Sequence, residues 1–243
     1  MNQTDIRPVE VSAPGQPHVK RPTHRADIAY EALRDSILSC ELKPNARLRL
    51  EELRDQFQLG ISPIREALMR LEMDDLVRLE RNKGFSVARV SPGHLKDSIA
   101  IRSEVEKFIL RWAIERGDVT WEANLISAFH LLSRQQKYSP DNPSKINPDW
   151  NRVHRYFHLT LVSGCNAPSM FKIYSQLEAQ TERYVALAIL YSKQPRDDNS
   201  EHKALMDAAL ERNVELVQEL SEKHTQATEA RVLEVFESGL IDY

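Results

Sequence analysis

Ser62-Pro63-Ile64-Arg65-Glu66-Ala67-Leu68 is the stretch on which the reading of the fold turns. A serine before a proline is a strong helix-opening signal: the hydroxyl caps free backbone N–H groups, and proline fits the first turn, where no N–H is needed. Ile64, Ala67, Leu68 and Leu71 then recur at helical spacing and form one apolar face. Just upstream, Leu59-Gly60-Ile61 reads as a tight turn. Before it a short helix spans Leu50 to Gln58, with Leu53 and Phe57 four apart. Further upstream a helix is expected from Asp27 to Ser39, and Leu42-Lys43-Pro44-Asn45 interrupts the chain after it. Downstream, Leu76–Glu80 and Phe85–Val90 are β-prone runs joined by Arg81-Asn82-Lys83-Gly84, the pattern of a hairpin. Helix, helix–turn–helix and hairpin together predict a winged helix-turn-helix over residues 24–91.

That architecture places the second helix of the motif in the major groove of double-stranded DNA, its N-terminal residues facing base edges. Arg65 lies one turn in, opposite the packing face, where it can bond a guanine bidentately or clamp a phosphate. Ser62 can donate to a phosphate at the helix start, and Arg70, two turns in, can reach the backbone. Lys83 and Gly84 occupy the wing tip. Total charge says little: residues 24–90 hold 12 Lys+Arg against 12 Asp+Glu. Between Val77 and Val90, however, Arg78, Arg81, Lys83 and Arg89 face Glu80 alone, a local basic strip suited to phosphates.

From Ser91-Pro92 onward the pattern is helical almost throughout, so the fold class is mainly α. Helices are expected near 92–116, 121–138, 148–163, 168–192, 199–212 and 214–238. Pro140, Pro143 and Pro148 mark the break after the second, and Gly164 and Gly239 stand where C-terminal caps belong. Residues 1–23 are polar, proline-rich and aperiodic, the composition of a disordered tail. The chain carries no apolar run near the ~18 residues of a membrane span and no apolar signal-peptide core at its start. The cytoplasm is the expected location. The two cysteines, Cys40 and Cys165, form no disulfide framework or metal motif and are expected to be buried thiols.

Four of the eight histidines form a constellation. His154 and His158 are four apart and project from one helix face. His202 and His224 lie eleven residues either side of Asn213. If the last two helices fold back on each other, both sit about 16 Å from the turn, at equal height. Such a set suits a divalent ion, Zn, Ni or similar; incidental histidines on amphipathic helices are the plain alternative. Arg102 falls on the stripe Leu95, Ile99, Arg102, Val105 and Ile109, which should face the interior. A buried guanidinium needs a partner, either Glu106 one turn on or an organic carboxylate clamped bidentately. Arg183, beside Tyr184, is the candidate for the second carboxylate of a diacid, or else a solvated residue. A metal-dependent hydrolase using the four histidines is the rival function, but no HExxH pattern or adjacent general base supports it.

Residues 27–90 resemble the DNA-binding domain of the GntR family. The marks are Leu42-Lys43-Pro44 with Arg47-Leu48, the run from Ser62 to Leu68, Leu71-Glu72, Leu76-Val77 and Asn82-Lys83-Gly84-Phe85-Ser86-Val87. Asn45 stands where that family usually has glycine, and the turn before Ser62 lacks its usual arginine. Residues 93–238 resemble the FCD ligand-binding domain of the family's FadR branch, through Arg102 with Glu106, Phe157-His158, Ser163-Gly164, Asn166, Glu201-His202 and His224. The resemblance implies a homodimeric transcriptional repressor, not an enzyme. It also implies DNA contacts by Arg47, Ser62, Arg65 and Gly84, and a small carboxylate effector, for instance a short dicarboxylate such as glutarate. The family's metal is held by an Asp and three His. His158, His202 and His224 match the histidines, and His154 takes the place of the Asp.

Overall fold

The computed structural model describes residues 24–192 and 196–240. The expected tail, 1–23, lies outside them. Helix α1 (Arg25–Leu38) leads into strand β1 (Arg47–Leu48), α2 (Leu50–Phe57) and α3 (Ile61–Met73), followed by β2 (Val77–Glu80) and β3 (Gly84–Val87). The three strands form an antiparallel sheet in the order β1-β3-β2, with Leu79 opposite Phe85 and Leu48 opposite Phe85 on its other side. The third strand, β1, extends the expected hairpin. Asn45 and Asn82 adopt left-handed backbone at φ 64° and 63°, which asparagine tolerates better than most residues. This explains how Asn45 serves at a position that favours glycine. Leu33, Ile37, Ile64, Leu68, Leu71 and Val77 build the core of this unit, all at most 2% exposed.

The expected cap of α3 is corrected. The helix begins at Ile61 with Gly60 as its N-cap, and no side-chain cap bond forms. Ser62 and Pro63 therefore lie inside the first turn, where a missing proline N–H still costs nothing.

The rest is a helical bundle: α4 (Pro92–Arg116), α5 (Val119–Arg134), α6 (Pro148–Ser163), α7 (Pro168–Tyr191), α8 (Asp198–Leu210) and α9 (Val214–Glu237). Ser91 caps α4 by accepting from the His94 N–H at 3.1 Å, and Asn213 caps α9 through the Leu216 N–H. The helix expected to run to residue 138 stops at Arg134. A small hairpin follows, β4 (Tyr138–Ser139) with β5 (Asn142–Ile146), Tyr138 opposite Ile146. Pro140 and Pro143 cannot continue a helix, and the aromatic and isoleucine ends are anchored, Tyr138 by its hydroxyl donating to the Ile189 carbonyl. Both cysteines are buried free thiols. No described helix is long and apolar enough to cross a membrane.

The two units meet along α7. A buried ion pair joins Arg34 on α1 to Glu182 on α7 at 3.3 Å, and Gln180 donates to Asp75 at 3.2 Å.

Candidate metal centre and DNA-reading surface

Helix α6 presents His154 and His158 on one face, and the α8–α9 hairpin brings His202 and His224 to the same height, with ring centroids 4.8 Å apart. One ring nitrogen from each of the four lies within 4.8 Å of the others. Nε2 of His158 stands 3.3 Å from Nε2 of His154 and 3.1 Å from Nε2 of His202. Nitrogens bound to one ion at about 2.1 Å, at angles between 90° and 109°, would stand about 3.0–3.4 Å apart, so these two spacings suit a shared cation.

Neighbouring groups orient the rings. Nδ1 of His202 faces the Asp198 carbonyl, and Nδ1 of His224 lies 2.8 Å from Glu201 Oε2. The Asp198 carbonyl can only accept, so Nδ1 of His202 carries the proton and its Nε2 keeps the lone pair; at His224 the nearer Glu201 favours the same tautomer, against the donating Arg196 guanidinium 3.1 Å from that nitrogen. Trp150 stacks on His154 at 4.7 Å. Burial, reinforced by the neighbouring imidazoles, holds His154 and His158 well below the ordinary histidine pKa. Burial lowers His202 and His224 as well. Neutral, desolvated imidazoles with converging lone pairs are the donor set of a zinc- or nickel-type ion. Glu201 stays ionised beside them: burial works against its charge, but hydrogen bonds from Arg196 and His224 hold its carboxyl well below the usual range.

A cavity with about 460 Å³ of atom-free space, partly continuous with solvent, opens against this cluster. His154, His158 and His224 line it, together with Arg102 and Leu95 of α4, Glu178, Thr181, Glu182 and Tyr184 of α7, and Thr225 and Thr228 of α9. Arg102 is buried, as its place on the apolar stripe required. It donates from Nη1 to Thr181 Oγ1 at 2.7 Å, while Nε stands 3.6 Å from Glu106 Oε2 and makes no hydrogen bond. Burial opposes its charge, but Tyr174, Glu106 and Glu178 together keep it above the ordinary arginine range.

The solvated reading of Arg183 is corrected. It is only 2% exposed, so it is not solvated, and it is absent from the cavity wall. It turns instead toward the junction of the two units, with Nη2 3.4 Å from His94 Nδ1 and its guanidinium 5.3 Å from the Tyr184 ring centre. The sequence reading missed Glu178, Thr181 and Glu182. Their pattern on α7 is that of an ordinary polar face, and only packing shows that this face looks inward.

On the other unit, Arg65 and Ser62 are exposed at the start of α3, Arg47 is exposed on β1, and Lys83 and Gly84 occupy the turn of the wing. Gly84 has φ +80°, a conformation that favours glycine. Lys83 is paired with Glu80 at 2.8 Å but remains largely exposed. Arg70 is partly exposed and also engaged within the protein. Its guanidinium bonds Asp27 at 2.7 Å and lies 4.3 Å from the Tyr30 ring centre, tying α3 to α1.

A winged reader of DNA packed on a helical bundle with a cavity lined by polar side chains defines a class: DNA-binding regulators with a second, helical domain. Residues 25–87 match the family model of bacterial regulatory proteins, gntR family, and residues 97–227 match that of the FCD domain. The chain belongs to the GntR family, as a member with an FCD domain, and is a transcriptional regulator. It is 31% identical to the HTH-type transcriptional regulator BphR of Paraburkholderia xenovorans (strain LB400), over 83% of this chain and 82% of that one. It is 30% identical to the HTH-type transcriptional repressor GlaR of Escherichia coli (strain K12), over 80% of this chain and 90% of that one. Among solved structures, E. coli McbR/YncC superposes with a TM-score of 0.72 at 21% identity, covering 88% of this chain and 99% of that one, which attests the fold. The family and these relatives are regulators rather than enzymes, which removes the hydrolase alternative.

Proposed function

We propose that this regulator is a cytoplasmic, homodimeric repressor released from its operator by a small organic carboxylate. The single observation that carries this reading is one cavity lined both by Arg102 and by three of the four clustered histidines, His154, His158 and His224. His154, His158, His202 and His224 would hold a divalent ion, which supplies a fixed positive charge for a carboxylate oxygen. Arg102 offers the second charge and the directional hydrogen bonds. A short dicarboxylate such as glutarate is the first effector to try, because the sequence resemblance extends to a carbon-starvation-induced, glutarate-responsive repressor.

On DNA, Arg65 reads a base or clamps a phosphate from α3, with Ser62, Arg47, Lys83 and Gly84 fitting the backbone and the adjoining groove. Two protomers place two such readers on a pseudo-palindromic site. The effector releases DNA to the extent that it prefers a protomer arrangement unsuited to both half-sites. Repression is supported by the likeness to GlaR, a transcriptional repressor.

A gel-shift titration on the promoter beside the protein's own gene, with a panel of small carboxylates, tests this. Binding that Arg65→Ala removes and one acid relieves is the expected result. A specific complex that no carboxylate weakens would sink the effector reading. No complex at all would sink the local operator.

A further inference from the structure

We infer that the effector carries an ammonium group besides its carboxylate, and that Glu178 and Glu182 on the α7 wall of the cavity receive it. The inference rests on the carboxylate reading above and narrows its ligand class. Among the residues lining the cavity, Arg102 is the only guanidinium or ammonium. One carboxylate can use it, along with the histidine-bound ion. A second carboxylate meets no further guanidinium or ammonium among the lining residues and faces two buried acids instead.

Glu178 and Glu182 are each 3% exposed and one helical turn apart, so both face the same way. Their bonds all fall on Oε2: Glu178 to Arg155 at 3.3 Å, Glu182 to Arg34 at 3.3 Å and to Arg155 at 3.5 Å. Neither Oε1 receives a hydrogen bond among the described residues. An ammonium offers these oxygens both the opposite charge and three donors. Burial and the Glu178 charge push the Glu182 carboxyl up to about 7, against the pull of Arg34 and Arg155. A third carboxylate would add to that repulsion, a hydroxyl would leave it, and an ammonium relieves it. Thr181, between the two acids, bonds Arg102, so one face of α7 spans the positive and negative ends of the site.

Calorimetric titration of the full-length, metal-loaded protein tests this with chain-matched probes: pentanoate, glutarate and 5-aminopentanoate, and the corresponding sets of four and six carbons. In at least one set the aminocarboxylate should bind about tenfold or more tighter than the dicarboxylate and the monocarboxylate. Glu178→Gln, which keeps the shape but removes the charge, should abolish that preference. The wild-type ranking stands as a test even if the variant does not fold. Dicarboxylates binding as tightly as aminocarboxylates at every length would overturn the inference and leave the carboxylate reading intact. Absence of binding by all the probes would overturn both.

Discussion

Arg65 and Arg70 lie on the same helix, yet their surroundings differ. Arg65 projects freely, whereas Arg70 is bonded to Asp27 on α1. Arg65→Ala should therefore weaken operator binding by about 1–3 kcal/mol without changing the melting temperature. Arg70→Ala should cost at most about 1 kcal/mol of stability, because the pair is nearly half exposed. Parallel gel shifts and melts check the contrast, and equal losses of DNA affinity would show that Arg70 also touches DNA. The histidines give a pH prediction. Each lies below its ordinary value in the folded protein, while the unfolded chain takes up protons near 6.5. Their contribution is complete above that pH and is lost as pH falls through it. Glu182, raised to about 7, has the opposite sign, since folding then favours its protonated form below that pH, but it is one group against four. The metal-free protein should melt at lower temperature at pH 5.5 than at pH 7.5. Added Zn²⁺ or Ni²⁺ should raise the melting temperature more at the higher pH, because protons compete for the same nitrogens. A melting temperature that does not fall from pH 7.5 to 5.5 would contradict the burial of neutral imidazoles.

Among the elements, the joint of α4, α5 and α6 shows how closely the bundle is packed. Gly117 ends α4, Gly164 ends α6, and Trp121 lies across both, donating from its indole N–H to the Thr160 carbonyl at 2.9 Å. A Cβ added at Gly164 would stand 2.8 Å from the Ala113 carbonyl oxygen and 3.0 Å from the Trp121 ring. Backbone cannot yield as a flexible side chain can, so Gly164→Ala should destabilise the protein by about 1–3 kcal/mol, measurable by urea unfolding. Gly164 and Gly239 both looked like cap residues in the sequence, but only Gly239 adopts positive φ; Gly164 is required by close approach. The β4–β5 hairpin was not legible either. Its strands are short and contain proline, and what holds them is contact with α7 rather than any pattern of their own.

For the whole molecule, α7 is the element shared by sensor and reader. Glu178 and Thr181 face the cavity, Glu182 lines it and also holds Arg34 of α1, and α1 packs on α3. The Arg34–Glu182 pair therefore gives the cavity wall a physical connection to the helix that packs on α3. Arg34→Met would leave a buried carboxylate short of one partner, a change that typically costs about 3–5 kcal/mol. Calorimetry should then show the winged unit melting separately from the bundle. A single transition unchanged in position would show that the pair does not hold the two units together.

What the sequence by itself determined is local or periodic. Turn residues and helical spacing placed the winged reader around Arg65, and most of the six bundle helices to within a residue or two. The stripe through Arg102 predicted its burial, and the equal spacing of His202 and His224 about Asn213 predicted that they would meet. These properties depend on a helix's rise and rotation, which every sequence shares. What only the tertiary structure decided is which polar residues face one another across different helices. Glu178 and Glu182 joined the cavity, Arg183 turned away from it, and Arg70 was bonded to Asp27. Each outcome depends on how whole helices dock and rotate against their neighbours, which is set by the summed packing of many side chains and is written in no single stretch of the chain.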